Sequence, residues 1–223
     1  DGARRDMNTN ELTLEMALTR GPVIPVLVID RVDEAVPLAR ALLAGGVQVL
    51  EVTLRTPAAL DVIRLLAHEV PEALVAAGTV TTPEQWEAAA HAGAHLAVSP
   101  GLTPRLLSAL RSGAPTPLLP GVATASELMT AMDAGLSHFK FFPAQQTGGV
   151  GMLKAFHGPF ADARFCPTGG ITFDTAANFL ALPNVACVGG SWLAPVSAVR
   201  AGDWERITQL ARDTLSLGGT LTA

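Results

Sequence analysis

Apolar residues arrive along this chain in short bursts at a steady interval. The bursts are PVIPVLVI (22–29), VQVLEVT (47–53), ALVAAGT (73–79), HLAVSPG (95–101), TPLLPGV (116–122), HFKFFPA (138–144), RFCPTGG (164–170) and VACVGGS (185–191). Each has strand length and is flanked by Gly or Pro, so each predicts a buried strand. Between them the apolar positions switch to helical spacing. Val36, Ala39, Leu42 and Leu43 mark a helix over 33–44, and Leu60, Ile63, Leu66 and Ala67 mark another over 58–67. Thr82-Pro83 and Thr103-Pro104 place an N-cap threonine before a proline at the first helical position. Thr124 followed by Glu127 has the spacing of a capping box, opening a helix over 124–134. Gly45, Gly93 and Gly135 each follow an alanine where a helix should stop, a place that suits left-handed backbone.

Eight strand signals alternate with helical ones, and the strand signals end about every 21 to 26 residues. That rhythm predicts an α/β fold, a single (β/α)₈ barrel of the TIM type. A doubly wound sheet would carry a glycine-rich fingerprint after its first strand, and Asp30-Arg31-Val32-Asp33 is not one. The expected division is an N-terminal extension and leading helix over 1–20 and a catalytic barrel over 21–223. Residues before Met7 are set aside from this reading.

Composition narrows the picture without redirecting it. Of 223 residues, 49% are hydrophobic, and mean hydropathy is +0.35. Both are too apolar for a disordered chain and suit strands buried on both faces. A net charge of −5 argues against nucleic acid as a partner, while a locally positive site can still hold a small anion. No run of 18 apolar residues points to a membrane span, and DGARRDMNTN lacks the apolar core of a secretory signal. Cys166 and Cys187 lie in apolar runs without metal or redox spacing. They read as buried free thiols in a reducing, cytoplasmic setting. His91 and His95 are four apart, but Gly93 interrupts them and no acidic third ligand follows, so no metal is expected.

The chemistry enters through alternation. Residues two apart on a barrel strand share a face. In the second run Val47, Val49, Glu51, Thr53 and Arg55 therefore face inward, and Leu50, Val52 and Leu54 face the helices. In the sixth run Phe139 and Phe141 face out, while Lys140 faces in between His138 and Phe142. The chain has two lysines, Lys140 and Lys154, and one of them stands in this phenylalanine-rich strand. A lone buried ammonium is costly, so it either pairs with an anion or gives up its proton and becomes a nucleophile toward ketones. The second and sixth strands of a barrel lie across the interior from each other, which makes Glu51 the partner. Two readings stay open here: a structural ion pair, or an amine and an acid/base group converging on a substrate. Arg55 on the same face has the fork to grip a carboxylate. Thr168-Gly169-Gly170 and Gly189-Gly190-Ser191 close the last two runs. Glycines there let backbone N–H groups approach a phosphate.

These residues carry a resemblance. PVIPVLVI, AGGVQVLEVTLRT, AAGTV, SPGLT, PGVAT, GLSHFKFFPA, GPFADARFCPTGGI and VGGSWL, in that order from about Gly21 onward, are similar to the 2-keto-3-deoxy-6-phosphogluconate (KDPG) and 4-hydroxy-2-oxoglutarate (KHG) aldolases. The resemblance implies a class I aldolase that forms a Schiff base through Lys140, with Glu51 as general acid/base. It implies Arg55 and Thr79 on the pyruvyl carboxylate and Thr168 near C4 of the substrate, favouring the gluconate configuration over its galactonate epimer. Gly169, Gly170, Gly190 and Ser191 would hold the phosphate. The implied partner is a small phosphorylated keto acid, with no cofactor, and the implied assembly is a homotrimer. The chain departs from the family pattern at Gln145, Ala76 and Gly151, which bears on substrate preference and turnover. Two other classes share part of the pattern. A phosphate-binding barrel isomerase needs the glycine corners but no strand lysine, and a non-catalytic sugar-phosphate binder would keep Lys140 and Glu51 as a permanent pair.

Overall fold

The computed structural model describes residues 14–218, in which parallel strands alternate with helices in an α/β barrel-like arrangement. The strands are β1 (Val23–Leu27), β2 (Val49–Thr53), β3 (Leu74–Gly78), β4 (Leu96–Val98), β5 (Leu118–Leu119), β6 (Gly121–Val122), β7 (His138–Phe141), β8 (Arg164–Pro167) and β9 (Val188–Gly190). Helical residues 14–18 form α1. The helices after it are α2 (Val32–Ala44), α3 (Ala59–Glu69), α4 (Pro83–His91), α5 (Pro104–Arg111), α6 (Ala125–Met132), α7 (Gly149–His157), α8 (Phe173–Leu180), α9 (Val196–Ala201) and α10 (Trp204–Leu215). Every one of the eight apolar runs contains a strand.

The strands form a six-stranded sheet in the order β5-β4-β3-β2-β1-β9 and a three-stranded sheet in the order β6-β7-β8. The expected single eight-stranded ring is corrected here: the ladder is divided at two seams. At the first, Pro120 splits the fifth run, because proline has no N–H to give a neighbouring strand. The carbonyl of Leu119 accepts from Ser99 N at 3.2 Å on one side, and that of Pro120 accepts from Lys140 N at 2.9 Å on the other. At the second seam two isolated parallel bridges, Phe165 with Val185 and Thr168 with Gly189, join β8 to the approach of β9. A step of three residues (165 to 168) faces a step of four (185 to 189), and the extra residue interrupts regular pairing.

Alternation sorts the strands into two cores. Leu50, Val52, Phe139, Phe141 and Phe165 pack outward against the helices. Ile24, Val49, Ala76, Leu96, Val98, Leu119, Cys166 and Cys187 face inward. Leu14, Ala17 and Leu18 of α1 belong to this inner cluster; they lie on one face at helical spacing and close its floor. The leucines Leu14 and Leu18, almost fully removed from water, each contribute about 1.5–3 kcal/mol. Val47, expected inward, packs with the outer cluster instead. It precedes the first residue of β2, so the two-residue alternation does not yet govern it.

The helix starts follow the capping residues. Thr82 accepts from Gln85 N and Thr103 from Leu106 N, both at 3.2 Å, and Thr124 with Glu127 completes the capping box. Gly93 and Gly135 have the expected left-handed backbone, at φ 100° and 85°. Gly45 does not: it continues right-handed at φ −83°, and Gly46 makes the turn at φ 93°. Among the described residues no helix is long and apolar enough to cross a membrane.

Candidate active site

The alternation that places Val49 inside also places Glu51 inside, and the alternation that turns Phe139 and Phe141 outward turns Lys140 inward. The two polar groups meet. Lys140 Nζ donates to Glu51 Oε1 at 3.1 Å, with 4% and 5% of the two side chains exposed. Two buried opposite charges at this distance hold each other in place, because either one alone would be left without compensation in a poorly polarisable interior. Nζ also lies 5.3 Å from the centroid of the Phe142 ring, within cation–π range. The contact joins β2 to β7 across the interior, as the alternation predicts.

Around this pair the site is built strand by strand. Cys166 is the register partner of Lys140 on β8, and the buried Thr168 lies two residues further on. Thr168 Oγ1 donates to the carbonyl of Cys166 at 3.4 Å and lies 3.9 Å from its sulfur. A Cβ on Gly189 would strike the Thr168 hydroxyl, so the bridge between these residues requires a glycine. Cys187 shares the inner cluster, and its thiol is pushed well above the ordinary range by its hydrogen bond with Cys166, then by burial and by the nearby anionic groups. A thiol held protonated in this way is a poor nucleophile. A small enclosed cavity of about 10 Å³ is lined by Glu51, Lys140, Thr168 and Cys166 together with Leu14 and Leu18 from the floor. It has room for about one water molecule.

At the mouth, Arg55 is exposed and its Nε donates to Thr79 Oγ1 at 3.1 Å. Thr79 has left-handed backbone at φ 58°, a rare state for a β-branched residue that costs about 1–3 kcal/mol and persists only where surrounding structure enforces it. The hydrogen bonds of its neighbours fix that turn: Leu54 N donates to Gly78 O at 2.8 Å and Val80 N to Val98 O at 3.1 Å.

The two glycine corners lie side by side, since Thr168 bridges to Gly189. Gly169 and Gly170 both have left-handed backbone, φ 107° and 73°. The loop after β7 is laced to them, with Ala144 N donating to Thr168 O at 2.8 Å and Gln145 N to Gly169 O at 3.1 Å. The Phe142–Pro143 peptide bond in that loop is cis. Gly190 is buried, and a Cβ there would run into the Trp192 ring, whereas Ser191 is exposed. The need for glycine at 190 is therefore set by the indole, which the sequence reading did not anticipate.

The structure thus gathers Lys140, Glu51 and Thr168 in one interior and sets Arg55 with Thr79, and Gly169–Gly170 with Gly190–Ser191, at strand ends around it. Of the histidines, His91 Nδ1 pairs with the carbonyl of Glu87, and His95 Nδ1 accepts from Val75 N. Among the described residues no three acidic, His or Cys side chains cluster as a metal site. A larger groove of about 460 Å³, lined by Asp30, Arg31, Val196 and Arg200 among others, shares no residue with the Lys140–Glu51 interior. Its size does not make it the site of chemistry, because the buried amine and carboxylate lie elsewhere.

Comparison with known proteins identifies the family. The family of KDPG and KHG aldolases matches residues 14–210. The 2-dehydro-3-deoxy-phosphogluconate aldolase of Dickeya dadantii is 54% identical over 210 residues, covering 94% of this chain and 98% of that protein. The KHG/KDPG aldolase of Escherichia coli is 54% identical over 209 residues, with the same coverage. The KDPG aldolase of Legionella pneumophila, solved with pyruvate as a covalent carbinolamine intermediate, has a TM-score of 0.88 at 48% identity and covers 91% of this chain and 98% of its own. The enzyme of Zymomonas mobilis, solved with 3-phosphoglycerate, has a TM-score of 0.86 at 45% identity, covering 94% and 98%.

Proposed function

The chain belongs to the KDPG and KHG aldolase family, and from that membership we propose a class I aldolase that reversibly cleaves 2-dehydro-3-deoxy-6-phosphogluconate to pyruvate and D-glyceraldehyde 3-phosphate. It also takes 4-hydroxy-2-oxoglutarate to pyruvate and glyoxylate. The observation that carries the reading is the contact of 3.1 Å between Lys140 and Glu51 in a nearly sealed interior.

The steps follow from those two groups. Lys140 passes a proton to Glu51 and, as the free amine, attacks the C2 ketone to give a carbinolamine. Glu51 returns the proton to the departing hydroxyl, water leaves, and an iminium remains beside the Glu51 carboxylate. The iminium draws electrons from C3. Glu51 takes the proton of the C4 hydroxyl, the C3–C4 bond breaks, and its electron pair flows into the iminium to leave an enamine. The aldehyde departs. The enamine is protonated at C3, and water returns to hydrolyse the imine, freeing pyruvate and the amine. Positioning and general acid/base catalysis carry the rate.

The other residues hold the substrate along this axis. Arg55 and Thr79 bind the pyruvyl carboxylate, a role supported by their mutual hydrogen bond at the mouth. Thr168 faces C4 and favours the gluconate configuration. Gly169, Gly170, Gly190 and Ser191 bind the phosphate at the far end, where the glycines put no Cβ in the way of an anion approaching the backbone. The described residues from Gly21 to Gly218 act as one α/β barrel-like catalytic domain; residues 219–223 of the domain expected over 21–223, and residues 1–13 of the expected leading segment, lie outside the described residues. The assembly is a homotrimer, and the buried free thiols fit a cytoplasmic setting. Pyruvate release from phosphogluconate-, phosphogalactonate- and hydroxyoxoglutarate-type substrates tests the reading. Activity on the first, absent in Lys140→Met, is expected; a Lys140→Met protein that turns over normally would refute it.

A further inference from the structure

Gly78 ends β3 in register with Thr53, the last residue of β2. Its backbone is not left-handed, so nothing in its conformation calls for glycine. What calls for glycine is its neighbour. A Cβ built on Gly78 would overlap Glu51 Oε1, and it would lie 2.7 Å from Cγ and 2.9 Å from Cδ of the same side chain. Oε1 is the oxygen that accepts from Lys140 Nζ. We infer that Gly78 is a positioning residue: its missing side chain leaves the space in which the Glu51 carboxylate lies against Lys140.

The consequence of filling that space is specific. Real Cβ contacts do not close below about 3 Å, so either the glutamate or the strand must yield. The strand is held by the register pairs of β2 with β3 and by the bond from Leu54 N to Gly78 O at 2.8 Å. The glutamate carboxylate is the free end of a side chain with three rotatable bonds, so it moves first. Gly78→Ala therefore turns Oε1 away from Lys140 while leaving the lysine, its strand and the mouth residues in place. The backbone hydrogen bonds are unaffected by a Cβ.

This inference rests on Glu51 as the group that moves the proton, and the test separates the two. Gly78→Ala, Glu51→Gln and the double variant are compared for turnover, for borohydride trapping of pyruvate on Lys140, and for the urea midpoint. If Glu51 moves the proton, Glu51→Gln loses about 10²-fold or more in kcat, the usual scale for such groups. If Gly78 acts through Glu51, Gly78→Ala loses kcat on the same scale, still traps pyruvate on Lys140, and adds no loss in the Glu51→Gln background. A fall in Glu51→Gln with near-normal turnover in Gly78→Ala would overturn the positioning role alone. Near-normal turnover in Glu51→Gln would overturn the proton role on which it rests. Multiplying losses in the double variant would also overturn it, by assigning Gly78 an independent effect. Stability supplies the readout if Gly78→Ala folds poorly: its cost should shrink in a Glu51→Ala background, where the space is empty, and an unchanged cost would contradict the contact.

Discussion

Replacing Leu18 by alanine removes part of the floor beneath the Lys140–Glu51 pair. Leu18 is 1% exposed and packs in the inner cluster with Leu14, Ile24 and Val49. It also lines the cavity of about 10 Å³ that Glu51 and Lys140 share. A buried Leu→Ala change costs about 2–5 kcal/mol, the transfer free energy of the lost carbons plus the cavity they leave. For a chain of this size each kcal/mol lowers Tm by roughly 2–4 °C, so the shift should be roughly 4–20 °C. Met16 sits on the same helical segment but is 58% exposed, and Met16→Ala should stay within about 0.5 kcal/mol of the parent. Urea unfolding by circular dichroism measures both, with the slope checked for constancy. Most of the cavity wall is apolar, but Glu51, Lys140 and Thr168 form part of it, so a water admitted to the enlarged space has polar partners beside the ion pair, and Leu18→Ala should also lose turnover at temperatures where it remains folded. A loss below about 1 kcal/mol, or equal losses in Leu18→Ala and Met16→Ala, would refute the account of α1 as the floor of the interior.

Three further outcomes follow. Arg55→Met should lower kcat/KM by about 10- to 100-fold on phosphorylated and unphosphorylated substrates alike, the value of a hydrogen bond to a charged group; a loss confined to phosphorylated substrates would place Arg55 on the phosphate instead. Ser191→Ala should raise KM for the phosphorylated sugar acid and leave 4-hydroxy-2-oxoglutarate unchanged, and equal effects in steady-state kinetics would move the phosphate elsewhere. Cys187 keeps its proton in the folded state above the pH at which an unfolded thiol releases it, through its bond with Cys166 and burial. The native state then binds more protons than the unfolded one, so stability is fully present below the ordinary thiol range and falls as pH rises through it. Urea midpoints at about pH 8 and about pH 10, on either side of the unfolded thiol's pKa, should show that fall and show it reduced in Cys187→Ala; an unchanged slope would contradict the shift.

What was legible in the sequence was what periodicity governs. Once Val49 and Leu50 are assigned to opposite faces, Glu51 must point inward, and the same step places Lys140 between two outward phenylalanines. The caps at Thr82, Thr103 and Thr124 were legible because each acts within four residues of chain. The failures lie where a distant partner or an element boundary decides. Val47 stands before β2 begins, so parity misassigns it. Gly45 and Gly46 are adjacent candidates for one turn, and the bonds from both back into α2 select the second. Pro120 was inside a recognised strand, but that it would divide the sheet depends on which side of the run each neighbour bonds. The floor formed by Leu14, Ala17 and Leu18 requires knowing that α1 returns beneath the strands. Gly78 reads as an ordinary strand-end glycine until the β2–β3 register sets Glu51 against it, and Gly190 likewise until Trp192 folds over it.

The central claim, that Lys140 forms the Schiff base, is tested most directly by reducing the protein with borohydride in the presence of pyruvate and mapping the adduct by peptide mass spectrometry. Lys140 and Lys154 are the two lysines in the chain, and they lie in different elements, β7 and α7. The account predicts one stable pyruvyl adduct, on Lys140, with parallel loss of activity. An adduct on Lys154 alone, or no adduct on either lysine in protein that still releases pyruvate from its substrate, would contradict it.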